Sequence, residues 1–429
     1  MLYPPAAGQA VAPSGVLLLF FRDNKFIGII TMLNTLRHRF NLLFLRIMAP
    51  IMPGSTHVAF VGAGSSRQLC GHVASLAPAK VLVVTDKPLR DLGVADQAVA
   101  GLVDAGVELA WFDGVLPDPT YEQVDEGLAI LRREQCDVLL AIGGGSAMDC
   151  AKVIAIRATS DEDPHKWEGL GKVKHEGLPL YAIPTTAGTG SEGTAGAVVK
   201  DSETLTKSIM SGNTLLPKAT ALDASLMQGL PPHITAATGM DALTHAIEAY
   251  IGVWERGNRT ADARAAIKLV FENLPTAYAN GGNIDARESM ALAAYYGGMA
   301  INQVFVGSVH ALAHQVGGKY GIPHGLANAL ILPHVLEYCR EEAEQSLAEL
   351  ALLIGVGEEG ETSAQLAHKF IAAVRDLRTT VGIPDHSELL QAEDFDQLAE
   401  QAAQECVGYP VPRLLDKAAA LDILRKISG

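Results

Sequence analysis

The sequence lacks several features that would place it in a specialised class of protein. It has only five cysteines in 429 residues, and no two of them form a Cys-x-x-Cys pair. They are Cys70, Cys136, Cys150, Cys339 and Cys406. An odd number of scattered cysteines is typical of reduced thiols, so we expect a cytoplasmic protein. No internal repeat is present, and no apolar run reaches the roughly 18–20 residues that cross a bilayer, so we expect no membrane partner.

Basic residues are also scarce. The formal net charge is −15, which makes nucleic acid an unexpected partner. A dinucleotide remains compatible with this charge, because backbone amides can hold its phosphates locally. The 48% of hydrophobic residues is normal for a folded protein, and the length predicts two domains rather than one core.

Residues 1–47 differ from the rest of the chain in charge. They contain five basic residues and one acidic residue. Three interpretations stay open: a translation start assigned too early, a mitochondrial type of targeting segment, and a genuine accessory element. We expect this N-terminal extension to lie outside the fold, with mitochondrial targeting as the alternative to a cytoplasmic location.

After residue 47, the sequence pattern changes once, from strands that alternate with helices to helices alone. Four short apolar segments alternate with helical patterns, which predicts a parallel sheet with flanking helices. These segments are residues 80–86, 107–112, 137–142 and 178–183. From about Leu230 onward the spacing is helical, as in residues 261–272 and 288–301, without a convincing strand. We therefore predict an α/β domain over residues 48–229 and an all-α domain over residues 230–429.

One aspartate and three histidines in the second domain suggest a metal site. Asp241 and His245 are four residues apart, which places them on one face of a helix. His310 and His324 supply two further imidazoles. Each histidine alone is more commonly a hydrogen-bonded core residue, but three imidazoles and one carboxylate together suit iron, zinc, copper or nickel. The combination predicts a site for one divalent metal.

The predicted metal site also depends on how the chain turns between His310 and His324. A helix carrying His310 and His314 is expected to end at the pair Gly317–Gly318. After a turn, Pro323 and His324 are expected to open the next helix. Such a turn can bring His324 back beside His310.

Two segments of small residues in the first domain indicate a phosphate site. Gly143-Gly144-Gly145-Ser146 follows the segment 137–142 and opens a helix, where free amides and the helix dipole favour an anion. This is not the Gly-x-Gly-x-x-Gly fingerprint, and a tight turn that binds nothing is the alternative. Residues 184–192 follow the next strand with hydroxyls and amides that could line a cofactor cleft, or form a flexible loop.

Asp86 ends the strand predicted over residues 80–86. A carboxylate at such a position accepts from a ribose 2′-hydroxyl and repels a 2′-phosphate. The alternative is that Asp86 caps a helix over residues 88–92.

The stretches Gly239–Tyr250 and His310–His334, together with the glycine-rich segments, resemble the iron-containing (group III) alcohol dehydrogenases. The resemblance runs from about Met48 to the C-terminus. It implies that Asp241, His245, His310 and His324 bind Fe2+, and that His314 stays off the metal and transfers a proton. Zn2+ is the alternative metal, since it binds such donors more tightly than ferrous iron.

The resemblance also implies that the α/β domain binds NAD rather than NADP. Asp118, in a Pro-Asp-Pro turn, and Lys207 resemble residues near the cofactor, although a lone lysine is more commonly solvated. The implied cofactor contacts are Asp86, Asp118, Gly143, Gly144, Gly145, Ser146, Asp149, Thr185, Thr186, Thr189, Ser191 and Lys207.

The implied reaction is hydride transfer between a primary alcohol and nicotinamide, with the metal polarising the oxygen. Expected partners are a small alcohol or aldehyde and further copies of the chain, as a homodimer or larger homo-oligomer. A dehydroquinate-synthase-like or glycerol-dehydrogenase-like enzyme on the same scaffold is the alternative. The first would need a basic cluster, and only Lys319 lies near the ligand helices in sequence. A metal-binding protein without activity is a further alternative.

Overall fold

The computed structural model of the chain describes residues 33–41, 43, 57–203, 206–253 and 259–429. Most of the N-terminal extension falls outside this part, so its exclusion from the fold stays a prediction. Residues 33–41 are helical, and Nδ1 of His38 donates to the Val407 carbonyl oxygen at 3.1 Å. Among the described residues, no helix has both the length and the apolar character needed to cross a membrane.

Eight strands in these residues belong to the first domain. They are β1 (Val58–Val61), β2 (Val81–Val84), β3 (Leu109–Phe112), β4 (Val138–Gly143), β5 (Leu180–Pro184), β6 (Gly196–Lys200), β7 (Lys207–Ser211) and β8 (Ala219–Leu222). Six of them form a parallel sheet in the order β1-β8-β5-β4-β2-β3. Every residue of β2, β4 and β5 is buried, as expected for a parallel sheet covered on both faces.

The helices of this domain cover both faces of the sheet. They are α1 (Ser65–Ser75), α2 (Lys87–Asp91), α3 (Val94–Ala98), α4 (Ala100–Asp104), α5 (Tyr121–Glu134) and α6 (Gly145–Arg157). Side chains of β4 alternate between two apolar clusters: Leu139 faces α5 and α6, and Leu140 faces α1, α3 and α4. The predicted parallel α/β domain is confirmed.

The four segments predicted from sequence correspond to β2, β3, β4 and β5, so the structure adds β1, β6, β7 and β8. β6 and β7 form an antiparallel hairpin outside the main sheet, and only alternate residues of each are buried. β8 pairs with both β1 and β5 inside the sheet. Its sequence, Ala-Thr-Ala-Leu, has little of the β-branched and aromatic content by which strands are recognised. Long-range pairing therefore decides its structure.

The second part of the chain contains nine described helices. They are α7 (Pro232–Ile251), α8 (Arg259–Ala279), α9 (Ile284–Val304), α10 (Ser308–Tyr320), α11 (His324–Tyr338), α12 (Glu344–Leu353), α13 (Ser363–Thr380), α14 (Phe395–Cys406) and α15 (Lys417–Ile427). α7 is central: it packs against α8, α9 and α11, and most of its residues are buried. The prediction of a helical second domain is confirmed.

The predicted end of the helix that carries His310 was wrong. α10 continues through Gly317 and Gly318 to Tyr320. Glycine inside a helix costs only about 1 kcal/mol relative to alanine, which the packed structure can offset. The helix ends where Gly321 adopts a left-handed backbone, φ 67°, and its N–H donates to the carbonyl of Gly317. The start of α11 at His324 agrees with the prediction.

Candidate metal centre and dinucleotide site

Four side chains from three helices converge at one point of the helical domain. Asp241 and His245 lie one turn apart on α7, His310 is the third residue of α10, and His324 is the first residue of α11. One donor atom from each side chain lies within 4.8 Å of the other three. The structure thus brings together the complete set that the sequence analysis selected as ligands.

The surroundings of these four donors suit a divalent metal. Asp241, His245 and His310 are buried, whereas 31% of the His324 side chain is exposed. Nε2 of His245 and Nε2 of His324 lie 3.9 and 3.7 Å from Oδ1 of Asp241. A mixed set of imidazoles and one carboxylate is one that iron and zinc accept. The residues present therefore fit the metal that the donor pattern implies.

The protonation states of the donors agree with metal binding. Burial lowers the pKa of His324 to about 3 and the pKa of His310 well below its usual range, although the Asp241 carboxylate opposes both shifts. Burial by itself would raise the pKa of Asp241, but the neighbouring histidines and an Asn328 hydrogen bond outweigh it and lower that pKa. Neutral imidazole and ionised carboxylate are the forms that bind a metal.

Glu248 fixes the orientation of the His310 ring through a hydrogen bond. Its Oε2 accepts a hydrogen bond from Nδ1 of His310 at 2.6 Å, which leaves Nε2 of the ring toward the other donors. The backbone N–H groups of Gly307 and Val309 donate to the same carboxylate. Such outer carboxylates fix the tautomer and orientation of a ligating histidine. The sequence analysis missed Glu248, although its position seven residues after Asp241 places it on the same face of α7.

Asn328 is a second residue that the sequence analysis missed. Its Nδ2 donates to Oδ1 of Asp241 at 2.7 Å and lies 3.2 and 3.3 Å from the Nε2 atoms of His310 and His324. The residue is fully buried on α11, four positions after His324. That helical spacing was the available signal. Asn328 therefore forms part of the wall of the donor cluster.

His314 lies beside the donor cluster but is not part of it. Its ring stacks on His324 with 5.6 Å between centroids, and it lies edge-on to His310 at 5.9 Å. Nδ1 of His314 lies 2.6 Å from Oε1 of Glu405. His314 is therefore a neighbour of the donor cluster with one ring nitrogen held by a carboxylate, and its role in proton transfer stays a prediction.

The glycine-rich turn lies between β4 and α6. Gly143 ends β4 with φ 150°, a backbone conformation that side chains disfavour, and a Cβ there would lie 2.8 Å from Cβ of Ala147. α6 begins at Gly145, with Ser146 in its first turn. The free N–H groups at this helix start can receive a phosphate.

The second small-residue segment packs directly on this turn. The backbone N–H of Thr185 donates to the Gly143 carbonyl at 3.0 Å. A Cβ on Gly144 would lie 3.3 Å from Oγ1 of Thr186, and one on Gly145 would lie 2.8 Å from Cγ2 of Thr189. The two segments that the sequence analysis selected are therefore neighbours.

Asp149 and Ser191 are joined by a buried network. Oγ of Ser191 donates to Oδ1 of Asp149 at 2.7 Å, and the N–H of Val198 donates to Oδ2 at 2.9 Å. The fully buried Lys152 donates to Ser191 and to the Gly196 carbonyl at 2.7 and 2.6 Å. These contacts tie α6 to Ser191 and to β6. The observed partners of Asp149 and Ser191 are protein groups, and contact with a cofactor stays a prediction.

Asp86 caps α2, the alternative that the sequence left open. Its Oδ1 accepts from the Leu89 N–H at 2.9 Å. Its Oδ2 lies 3.8 Å from the position that a Cβ on Gly143 would take. One oxygen caps the helix while the other faces the glycine-rich turn, so capping and ribose binding are compatible.

Lys207 is not simply solvated. Only 11% of its side chain is exposed, and its Nζ donates to Oδ1 of Asp118 at 2.7 Å. The same Nζ lies 3.9 Å from the position that a Cβ on Gly317 of α10 would take. The pair of predicted cofactor contacts therefore lies beside the helix that carries His310 and His314.

Sequence comparisons identify the family to which these sites belong. The profile described as "Iron-containing alcohol dehydrogenase" matches residues 56–224, and the profile for the C-terminal part of the Fe-containing alcohol dehydrogenase family matches residues 235–428. The chain belongs to the iron-containing alcohol dehydrogenase family. It is an NAD-linked oxidoreductase of alcohols and aldehydes, and the comparisons give no support to the dehydroquinate-synthase-like or glycerol-dehydrogenase-like alternative.

Several relatives have a named activity. The chain is 44% identical to 1,3-propanediol dehydrogenase of Klebsiella pneumoniae over 78% of this chain and 87% of the relative. It is 38% identical to lactaldehyde reductase of Escherichia coli K12 over 82% of this chain and 92% of the relative. Among solved structures, a 1,3-propanediol oxidoreductase superposes with a TM-score of 0.83 at 41% identity, over 86% of this chain and 97% of the other.

Proposed function

We propose that Asp241, His245, His310 and His324 hold one Fe2+, with Zn2+ as the alternative, in an oxidoreductase of short primary alcohols and aldehydes. The observation that carries this proposal is the convergence of four mutually adjacent donors. We favour Fe2+ over Zn2+ because the chain belongs to the iron-containing family. When bound, the metal would polarise the substrate oxygen and the nicotinamide would exchange the hydride. Glu248 and Asn328 keep the donors oriented toward one another.

The residues around the glycine-rich turn are proposed to hold NAD. The N–H groups at the start of α6 bind the pyrophosphate, and Thr185, Thr186 and Thr189 line the same place because they pack on the turn. The Asp118–Lys207 pair is proposed to contact the cofactor on the side toward α10, since Lys207 lies beside Gly317. Asp149 and Ser191 act through the network that joins α6 to the segment before β6.

His314 is proposed to move the substrate proton. In the direction of alcohol oxidation, Nε2 takes the proton from the hydroxyl; in aldehyde reduction it returns a proton to the oxygen. Its ring lies 5.9 Å from that of the buried His310, and 14% of its side chain is exposed, which supports a relay from the metal site toward solvent. A histidine suits this task because its charge changes near neutral pH.

The proposal also covers the oligomeric state, the cellular location and the domain boundary of the protein. We expect a homodimer or larger homo-oligomer in the cytoplasm. Support for a reducing compartment comes from the cysteines, which are all free and buried. The proposed domain boundary near residues 229–230 lies between the end of β8 at Leu222 and the start of α7 at Pro232.

The substrate class is tested with a panel of short aldehydes. Metal-free protein restored anaerobically with Fe2+ is expected to oxidise NADH with 3-hydroxypropanal or lactaldehyde faster than with branched or aromatic aldehydes, because the relatives act on short alcohols. The measurement is the initial rate at 340 nm for each aldehyde, with chelated protein as the control. No turnover with any aldehyde, despite bound metal and NADH, would contradict the proposal.

A substitution of Asp86 tests the preference for NADH. Asp86→Asn keeps an oxygen that can cap α2 but removes the charge that would repel a 2′-phosphate. We expect the ratio of kcat/KM with NADPH to that with NADH to rise by about tenfold or more, which corresponds to roughly 1.4 kcal/mol. Asp86→Gly should give a similar ratio, and Asp91→Asn on the exposed end of α2 is the matched control. An unchanged ratio in both Asp86 variants would remove Asp86 from cofactor selection.

A neighbouring arginine supports the same preference. Arg90 is one turn after Asp86, where a guanidinium could receive a 2′-phosphate. The Arg90 guanidinium already has two partners. It forms an ion pair with Asp96 and stacks over the Trp111 ring, 3.5 Å from the centroid. Binding of NADPH would therefore require these contacts to rearrange.

A further inference from the structure

We propose that Glu405 is a positioning residue for proton transfer, which fixes the orientation and tautomer of His314. The inference rests on the proposed role of His314 in the reaction. The two residues are 91 positions apart in sequence and meet because α14 packs against α10. Glu405 is outside the donor cluster, so it acts on the proton path without holding the metal.

The Glu405 carboxylate is held at both oxygens. Oε1 lies 2.6 Å from Nδ1 of His314 and accepts from the Tyr409 hydroxyl at 2.7 Å. Oε2 accepts from Nε2 of Gln315 at 2.7 Å. Burial and the nearby carboxylate raise the pKa of Tyr409 well above its usual range, so this hydroxyl stays protonated and donates. The carboxylate therefore has little freedom to turn away from His314.

This geometry selects one tautomer of His314. A neutral imidazole has one N–H and one nitrogen lone pair. Because Nδ1–H donates to Glu405, the lone pair is on Nε2. When an alcohol is oxidised, its O–H bond breaks and an Nε2–H bond forms, and the adjacent carboxylate stabilises the positive charge on the ring without taking the proton. Aldehyde reduction is the reverse of this step.

Glu248 provides a contrast within the same site. Both glutamates lie 2.6 Å from the Nδ1 atom of a histidine. Glu248 holds a proposed metal ligand and is buried, whereas Glu405 holds a histidine outside the cluster and keeps 24% of its side chain exposed. Loss of Glu248 should therefore lower metal binding, and loss of Glu405 should lower only the rate of the reaction.

The main test is Glu405→Gln, measured on protein loaded with metal. We expect kcat to fall by about 10-fold or more, with an upper bound near the roughly 10⁴-fold loss seen when the carboxylate behind a catalytic histidine is replaced by its amide. Metal content and the KM of the aldehyde should stay within about threefold, since neither depends on the tautomer of His314. Glu405→Asp should recover part of the rate. Glu400→Gln, an exposed residue of the same helix, is the matched control and should behave as wild type.

A double variant separates positioning from general destabilisation. In a His314→Ala background, adding Glu405→Gln should change kcat by less than about twofold, because Glu405 has no histidine left to hold. If Glu405→Gln does not fold, Glu405→Asp takes its place in both backgrounds. Wild-type kcat in the single variant, or an equal fall with and without His314, would overturn the inference. Inactive metal-loaded wild type would instead overturn the proposed function, and this inference with it.

Discussion

The His324→Ala variant will bind almost no metal at this centre and will turn over aldehyde at least about a thousandfold more slowly than wild type. Removal of one imidazole leaves three donors from two helices, and the link to α11 is lost. A metal acting on a substrate oxygen is worth several kcal/mol, and each 1.4 kcal/mol is about tenfold in rate. Metal content after anaerobic loading and NADH oxidation on the same samples measure both effects.

His324 is the most informative ligand to remove because its side chain is the most exposed of the four. His310→Ala should show the same losses, but it also removes one hydrogen-bond partner of the buried Glu248 carboxylate and is expected to lower stability. His368→Ala, at an exposed histidine of α13, is the matched control. Full metal content in His324→Ala would contradict the ligand assignment.

The His314→Ala variant is expected to keep its metal and lose most of its rate. Loss of a general acid–base group costs about 10²- to 10⁴-fold in kcat. The KM of the aldehyde should change little, because His314 is proposed to act on the proton rather than to bind the substrate. Steady-state kinetics together with the metal content of the same preparation give the result.

Two comparisons make the His314 result specific. The variant should bind NADH as wild type does, since the predicted cofactor contacts on the α/β domain are untouched. Added imidazole should restore part of the lost rate by occupying the space of the missing ring. An unchanged kcat would remove His314 from proton transfer, and loss of metal would place it among the ligands instead.

The four proposed metal donors, which converge in the structure, could be selected from sequence because each helix gives a local signal. Asp241 and His245 share a helix face through their spacing, and His324 opens a helix after Pro323. The predicted end of α10 was wrong because the glycine pair was treated as a stop signal. In the packed structure both glycines are helical, and the helix continues to Tyr320.

The supporting residues were harder to predict because distant segments bring them together. Glu405 meets His314 across 91 positions, and Glu248 meets His310 across 62. β8 has a weak sequence signal and forms because β1 and β5 provide partners on both sides. At Asp86 the sequence could not choose between capping and cofactor binding, and the structure shows why: its two oxygens face different groups.

The measurement that tests the central claim most directly is a stepwise anaerobic titration of metal-free wild-type protein with Fe2+. NADH oxidation with a short aldehyde is followed at each step, beside a titration with Zn2+. The account predicts that turnover rises in proportion to added Fe2+ and stops rising at one metal per chain, because four donors form one site. Full turnover in the metal-free protein, or a rise that continues well beyond one metal per chain, would contradict it.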